Sequence, residues 1–352
     1  MGYEIDFLAV GEGERSGDAI ALRFGDLLAD PPNQRVIIID GGTADSGRAL
    51  VDHIRKHYRT DNLDLVVSTH PDADHCSGLK VVLEELQVSC LLMHRPWEHA
   101  DNLRRLFSSP RLTIGGLERI IEKSLTSAHQ LEEIAIRKNI KVHEPFTGLS
   151  AFNGAIRILG PTAEYYESLV PNFRSTPAAA TPRPSILQRT LQIAEEAVTW
   201  VAETLHHETL TDDGVTSAEN DSSAIVHLQI DGASILFTGD AGITALTAAH
   251  SHAAHVGIDL SDLTLFQAPH HGSKRNVGPS ILNKIKAPRA YISAAKNGSP
   301  SHPAKKVVNA LIRRESRVFA TQGEGLRHCH NAPDRVGWVP ATELTFSSQV
   351  EE

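Results

Sequence analysis

The stretch that most constrains this chain is Leu63-Asp64-Leu65-Val66-Val67, followed at once by Ser68-Thr69-His70-Pro71-Asp72-Ala73-Asp74-His75. The first part is short, apolar and β-branched, the pattern of a buried strand. The second places two imidazoles and two carboxylates within six residues, and the apolar spacing over 78–86 predicts a helix. A strand that feeds such side chains into a loop before a helix calls for a layered α/β scaffold, where rigid elements aim loop residues at one point. Nitrogen and oxygen donors presented this way suit a divalent metal. The alternative is a polar turn built from Pro, Asp and Ser, but His, Asp, Asp and His at i, i+2, i+4 and i+5 favour the metal.

The same element order recurs along the chain. Residues 3–10, 19–24 and 35–39 read as strands, the last ending in Asp40-Gly41-Gly42, and 46–58 reads as a helix capped by Ser46. The turn Gly11-Glu12-Gly13-Glu14-Arg15-Ser16-Gly17-Asp18 is glycine-rich, yet no Gly-Lys-Ser/Thr follows and no helix opens there, so it is not a Walker-type phosphate loop. Residues 88–93 read as a strand leading into His94-Arg95-Pro96-Trp97. Residues 98–140 read as mainly helical, and 142–145 and 156–159 as short strands. Residues 161–219 are irregular, with a Pro/Ala/Thr-rich part at 175–184 and a helix near 186–205, the pattern of an insertion acting as a lid or partner surface. Residues 224–230 and 234–238 form a hairpin through Asp231-Gly232 that ends in Gly239-Asp240. A helix over 243–256 and a strand over 263–267 then reach Pro269-His270-His271-Gly272-Ser273. A strand over 289–293, a helix over 305–314 and strands over 318–321 and 337–339 complete the reading. No internal repeat of fixed period is visible.

Composition narrows the function classes. The formal charge of −9 lacks the basic footprint of a protein gripping long nucleic acid, and 5% aromatic residues are few for a base-stacking platform. Local clusters such as Lys284, Lys286 and Arg289 permit phosphate contacts without demanding them. No apolar run approaches the roughly 20 residues of a membrane span, and the first residues lack a signal peptide's basic start and apolar core. Three cysteines, Cys76, Cys90 and Cys329, fit free thiols in a reducing cytosol, and the expected location is cytoplasmic.

Ligand-type residues therefore stand at the ends of successive strands: His70 to His75, then Asp240, then His270 and His271. Strand ends of a layered sheet converge on one edge. These motifs resemble those of the metallo-β-lactamase-fold hydrolases, whose first ligand motif is His-x-His-x-Asp-His; here it is His70-x-Asp72-x-Asp74-His75. The aspartate variant is joined by Val10-Gly11, Gly17-Asp18-Ala19, Ile39-Asp40-Gly41-Gly42, Phe237-Thr238-Gly239-Asp240, Pro269-His270-His271-Gly272-Ser273-Lys274, Ser301-His302-Pro303 and Thr321-Gln322-Gly323. Together they are similar to the ComEC-type competence nuclease branch, without the membrane channel found there. The resemblance implies a four-layer αββα sandwich in a single domain over 1–352, with insertions at about 98–140 and 161–219.

It also implies a ligand set. His70 and Asp72 would hold a first metal; Asp74, His75 and one of His270 or His271 a second; Asp240 would bridge. Where the family places a further histidine this chain has Asn220-Asp221-Ser222-Ser223, and Asp221 could complete the first position with oxygen. Carboxylate in place of imidazole hardens the site, which favours Mn²⁺, with Zn²⁺ or Mg²⁺ as alternatives, as one or two ions. Asp74 would orient the attacking water or take its proton, and His302 would stabilise or protonate the leaving group or else pack beside Pro303. Lys274 could contact a phosphate oxygen or lie in solvent. Ser273 and a helix starting after His271 could bind an anion through backbone N–H groups. Asp40 and Asn220 would brace the ligands from behind, and His94 and Trp97 would line a groove or pack. The expected activity is phosphodiester hydrolysis by metal-activated water, on single-stranded nucleic acid or on short or cyclic nucleotides. The competing expectations are a hydrolase of a lactone, thioester or β-lactam, and a regulated or non-catalytic module that binds a protein partner through 161–219.

Overall fold

The computed structural model describes residues 1–10, 16–107, 113–174, 200–298 and 301–351. Its strands are apolar on both faces, so each sheet must be covered twice. In Asn33–Gly41, Ile37 and Ile39 face a core shared with the other sheet, while Val36 and Ile38 face helices. Ala19–Asp26 alternates likewise, with Ile20 and Leu22 on one side and Ala19 and Ala21 on the other.

The result is a four-layer αββα sandwich. A seven-stranded sheet runs in the order Leu326–His330, Gly2–Phe7, Ala19–Asp26, Asn33–Gly41, Leu65–Val67, Cys90–Leu92, Lys141–His143. An eight-stranded sheet runs Glu343–Leu344, Arg317–Ala320, Arg289–Ile292, Leu265–Gln267, Ala233–Phe237, Ile225–Ile230, Ile156–Gly160, Ser150–Ala151. Between them Phe7 meets the rings of Phe237 and Tyr291 at 6.2 and 5.4 Å. Asn33–Gly41, Leu65–Val67 and Cys90–Leu92 are parallel neighbours, as are Ala233–Phe237, Leu265–Gln267 and Arg289–Ile292. Each set therefore ends together at one edge, which carries Asp40, the 68–70 turn, Asp240, His271 and Ser293. No helix among the described residues is long and apolar enough to cross a membrane.

Several expectations change in detail. The helix after the His/Asp motif begins at Ala73, not Gly78, so Asp74 and His75 lie in its first turn and Asp72 at its N-cap. Thr43, not Ser46, caps the helix Ala44–His53, accepting from the Ser46 N–H. Residues 337–339 form no strand. Leu326–His330 instead pairs with Gly2–Phe7, a strand hidden by its His, Arg and Cys content. Trp200–Ala202, placed in a helix by the sequence, is a strand paired with Gln349–Glu351. Residues 203–205 are not helical either, while 186–199 of that helix, the 175–184 stretch and most of the 11–18 turn lie outside the described residues. Ala100–Leu103, Arg104–Leu106, Ile114–Ser124 and Thr126–Arg137 are helical as expected, and Leu103, Leu117, Ile121 and Leu131 share a core with Leu79, Val82 and Leu83.

The helix Ala73–Glu85 meets the end of Asn33–Gly41 backbone to backbone. A Cβ on Gly78 would fall inside the carbonyl oxygen of Gly41, and the Gly78 N–H donates to the Gly42 oxygen at 2.9 Å. Gly78→Ala must push the ligand-bearing helix off the sheet, and we expect a loss of about 3 kcal/mol, read by urea unfolding. A second test concerns Asp6, which accepts from Tyr58 at 2.7 Å and from Arg335 at 2.7 and 2.6 Å, with His53 Nε2 at 3.0 Å. Burial pushes this carboxyl up, but the hydrogen bonds and charges of His53 and Arg335 outweigh it and hold it at about 2. A depressed carboxyl stabilises the fold above its unfolded value near 3.8 and loses that effect as pH falls through about 2. The contribution is about 2 kcal/mol at neutral pH. Unfolding measured from pH 6 to pH 2 should show this acid limb, and Asp6→Asn should flatten it.

Candidate metal centre

The centre is built outward from Asp40, at the end of the strand Asn33–Gly41 with φ 54°. Its Oδ1 accepts the Thr69 N–H at 2.8 Å; its Oδ2 accepts the Thr69 hydroxyl at 2.6 Å and faces His75 Nδ1 at 2.9 Å. A carboxylate only accepts, so His75 carries its proton on Nδ1. The Thr69 hydroxyl has spent its proton on Asp40, so its oxygen accepts from His70 Nδ1, 3.0 Å away. His271 Nδ1 lies 2.8 Å from the Ser293 carbonyl, another pure acceptor. All three rings thus present an Nε2 lone pair to the interior, the arrangement in which a bonded Nδ1–H orients a metal-binding imidazole.

Those lone pairs meet carboxylates. His75 Nε2 lies 3.3 Å from Asp240 Oδ1, and His70 and His270 Nε2 each lie 3.7 Å from Asp240 Oδ2. Asp240 is fixed through its backbone: its N–H donates to Ser223 Oγ at 3.1 Å and its oxygen accepts from Asn276 at 2.7 Å. Donor atoms of Asp74, His75 and His271 lie within 4.8 Å of one another, as do those of Asp18, His75 and Asp240 and those of Asp40, His70 and His75. His70, His75 and His271 Nε2, Asp240 Oδ1 and Asp18 Oδ1 are all buried with no hydrogen-bond partner among the described residues. Leaving a buried polar atom unsatisfied costs about 1–3 kcal/mol, and a divalent cation held by these overlapping donor groups would satisfy them.

The charges agree. Burial alone would raise the Asp240 carboxyl, but His75, His270 and His271 hold it well below the usual range. Burial would lower His75, yet Asp240 and Asp40 raise it well above the ordinary imidazole value, so without a cation its Nε2 also holds a proton, which a metal ion bound there would displace. Burial, aided by His75 and His270, takes His271 down to about 3, which keeps its lone pair free. Asp18 is pushed up to about 7 by burial and by the charges of Asp240 and Asp40. A cluster of three carboxylates this deep needs positive charge to stay ionised.

The other expected residues are placed as follows. Asp72 turns away from its helix to Arg174, 2.6 Å off, and belongs to none of the donor sets found among the described residues. Asp221 accepts the Gly242 N–H at 3.0 Å and a bond from Tyr165, so it holds the turn before Ile243–His255 and is not directed at the centre. Asn220 sits behind His270, its amide 3.0 Å from Nδ1, and Asn276 Oδ1 lies 2.9 Å from the same nitrogen. With its side chain 30% exposed, His270 stands at the mouth while His271 is buried. The Ser273 N–H and hydroxyl are both engaged, with the His270 oxygen and the Arg275 N–H, and the next helix starts only at Pro279. No anion-binding helix start follows His271. Lys274 is half-buried and has an interaction within the protein. His302 lies 6.0 and 6.3 Å from the His270 and His271 rings; its Nδ1 is buried and unpartnered, and burial lowers it to about 4. His94 stacks on Tyr166 at 4.2 Å, and Trp97 donates to Glu132 at 2.6 Å inside the core. Asp18, held by Gln267 at 2.7 Å, is a site residue the sequence reading missed. Its one signal was its place in the Gly17-Asp18-Ala19 motif.

Comparison with known proteins places this architecture. The model of the metallo-β-lactamase superfamily matches residues 27–296. The chain belongs to that superfamily, most of whose members are metal-dependent hydrolases. ComE operon protein 3 of Bacillus subtilis (strain 168) is 28% identical over 109 residues, which span 31% of this chain and 13% of that protein. Among solved structures, a diphosphatase of the PhnP family is 13% identical with a TM-score of 0.39, covering 94% of this chain and 98% of that one. Unliganded yeast PDE1 is 11% identical with a TM-score of 0.40, covering 90% and 96%.

Asp74→Ala, His271→Ala and Asp240→Ala should each strip bound metal from the dialysed protein, measured by mass spectrometry of metal content. Asp40→Ala, which releases two imidazoles from their tautomers, should weaken affinity by about 10–100-fold. Metal content that survived the first three changes would place the ion elsewhere.

Proposed function

We propose that this protein is a metal-dependent phosphodiester hydrolase of the ComEC-type branch, acting as a nuclease on single-stranded nucleic acid or on short or cyclic nucleotides. The observation that carries the reading is the carboxylate-rich donor set, in which Asp18, Asp74 and Asp240 stand beside His75 and His271. Hard oxygen donors in this proportion favour Mn²⁺ over Zn²⁺. The identity with ComE operon protein 3 supports the branch, and the acidic balance and few aromatic residues support small or single-stranded substrates over long duplexes.

A divalent cation in this centre supplies Lewis acidity and a water acidified toward neutral pH. The protein's own groups do the rest. Asp74, half-buried in the first helical turn, is placed to accept a proton from the attacking water. His302, held near 4 by burial, is neutral at pH 7. Its ring is therefore suited to donate a hydrogen bond to a developing oxyanion, and less suited to deliver a proton as imidazolium. His270 at the mouth is held by Asn276 and Asn220 and can steady the substrate as it enters.

The test is a panel. Protein stripped of metal and reloaded with Mn²⁺, Mg²⁺ or Zn²⁺ is assayed on labelled single-stranded DNA, duplex DNA, RNA, a cyclic dinucleotide and bis(p-nitrophenyl) phosphate. Cleavage that depends on metal, is strongest with Mn²⁺ and falls at least 100-fold in Asp74→Ala is expected. Turnover of a lactone or thioester with every diester intact would overturn the reading.

A further inference from the structure

We propose that a groove on the outer face of the seven-stranded sheet, apart from the metal centre, binds a mononucleotide, with its phosphate among Lys56, His57 and Arg335 and its base against Trp338.

In the strand Gly2–Phe7, Ile5 and Phe7 face the core between the sheets, so Glu4 and Asp6 face outward. Over them stand Ile54–Tyr58, the helical turn that continues Ala44–His53, and the loop at 333–338. Between these segments lie two adjoining cavities of about 280 and 220 Å³, which share Lys56, His57 and Arg335 in their walls. Together they reach the size of small-molecule clefts, about 300–1,000 Å³. No residue lining either cavity belongs to the donor sets of the metal centre.

The charge of this groove is out of balance. Glu4 pairs with Arg23 at 2.6 Å, with Arg335 at 3.0 Å and with Arg327, and Asp6 pairs with Arg335 at 2.6 Å. All five side chains are buried, and two carboxylates cannot neutralise three guanidiniums. Lys56, exposed at the rim, adds a further positive charge and has no ion pair among the described residues. Asp6 is the one acid lining the larger cavity, and Asp334, exposed, lines only the smaller. A buried charge without a counter-charge is costly, so the network calls for an anion. A phosphate monoester, with a charge of about −1.5 to −2 at pH 7, matches this surplus better than a carboxylate or a diester.

The groups around that anion are fixed. Arg335 is held by both oxygens of Asp6, at 2.7 and 2.6 Å, and its side chain is only 8% exposed. Burial, then the charges of Arg335, His53 and Lys56, take His57 down to about 4. Its ring is therefore neutral at pH 7 and offers an N–H that has no acceptor among the described residues. Trp338, half-buried, walls the larger cavity with its ring 6.0 Å from the Arg335 guanidinium. An indole beside a fixed cation suits a flat base, since stacking on an aromatic side chain contributes about 1–3 kcal/mol. A dianion joined to a flat ring describes a mononucleotide.

The experiment uses the full chain freed of metal by chelation, titrated by calorimetry at pH 7 with adenosine 5′-monophosphate, adenosine and inorganic phosphate. The monophosphate should bind once per chain, and adenosine and phosphate should each bind at least about tenfold more weakly. Lys56→Ala and Trp338→Ala should each weaken the monophosphate about tenfold, while Asp240→Ala leaves its affinity unchanged. Absence of binding, phosphate binding as tightly as the nucleotide, unchanged affinity in folded Lys56→Ala and Trp338→Ala, or loss of binding in Asp240→Ala would each overturn the proposal. Should Trp338→Ala not fold, Trp338→Leu, apolar but without a flat face, carries the same expectation. These readouts involve neither metal nor turnover. Diesters left intact by a protein that binds the nucleotide would count against the phosphodiester reading alone, and cleavage by a protein that does not bind it would count against this groove alone.

Discussion

Two imidazoles of the centre take their tautomer from one carboxylate, that of Asp40. It holds His75 directly and His70 through the Thr69 hydroxyl. Without it either ring could protonate on Nε2, and the inward lone pairs would vanish. The same contact ties the end of Asn33–Gly41 to the turn after Leu65–Val67, so the polar network and the sheet edge are one piece of structure. His271 obtains the equivalent hold from a backbone carbonyl, that of Ser293, just past the strand Arg289–Ile292. Ligand orientation thus comes from neighbouring strands, and little of it depends on exposed loops.

Burying so many ionisable groups is expensive unless each has a partner. The sandwich meets that demand in layers. Apolar cores on both sides of each sheet fix the strands, strand ends position the carboxylates, and at the centre the carboxylates and imidazoles leave inward-facing atoms unmatched. Their donor groups overlap at His75. The unmet need of the polar network and the chemistry of a divalent cation are therefore two descriptions of the same space.

Much of this was legible in the residues. The strands from Leu65–Val67 to Arg289–Ile292 were visible because β-branched runs ended in His, Asp or Gly, and the same punctuation exposed His70, His75, Asp240 and His271. What escaped depended on distant partners. Asp18 looked like one more polar residue of a glycine-rich turn, and only Gln267, far along the chain, reveals it as an inward carboxylate. Asp221 looked like a ligand because the backbone N–H of Gly242 leaves no mark in a sequence. Asp72 was read correctly as unusual, but its partner Arg174 lies 102 residues away in a stretch with no regular pattern. The helix start was displaced because Pro71-Asp72 signals a turn as strongly as it signals a helix entry.

The pairing of Leu326–His330 with Gly2–Phe7 has a kinetic side. Tyr3 bonds to a residue 325 positions downstream, so one of the longest loop closures in the molecule joins its first strand to a late one. During synthesis Gly2–Phe7 emerges early and presents an unpaired ladder of N–H and C=O groups until the late strand arrives. The metal-binding turns all precede that strand in the chain. The donors of the centre are thus all synthesised before the strand that completes the edge of the seven-stranded sheet.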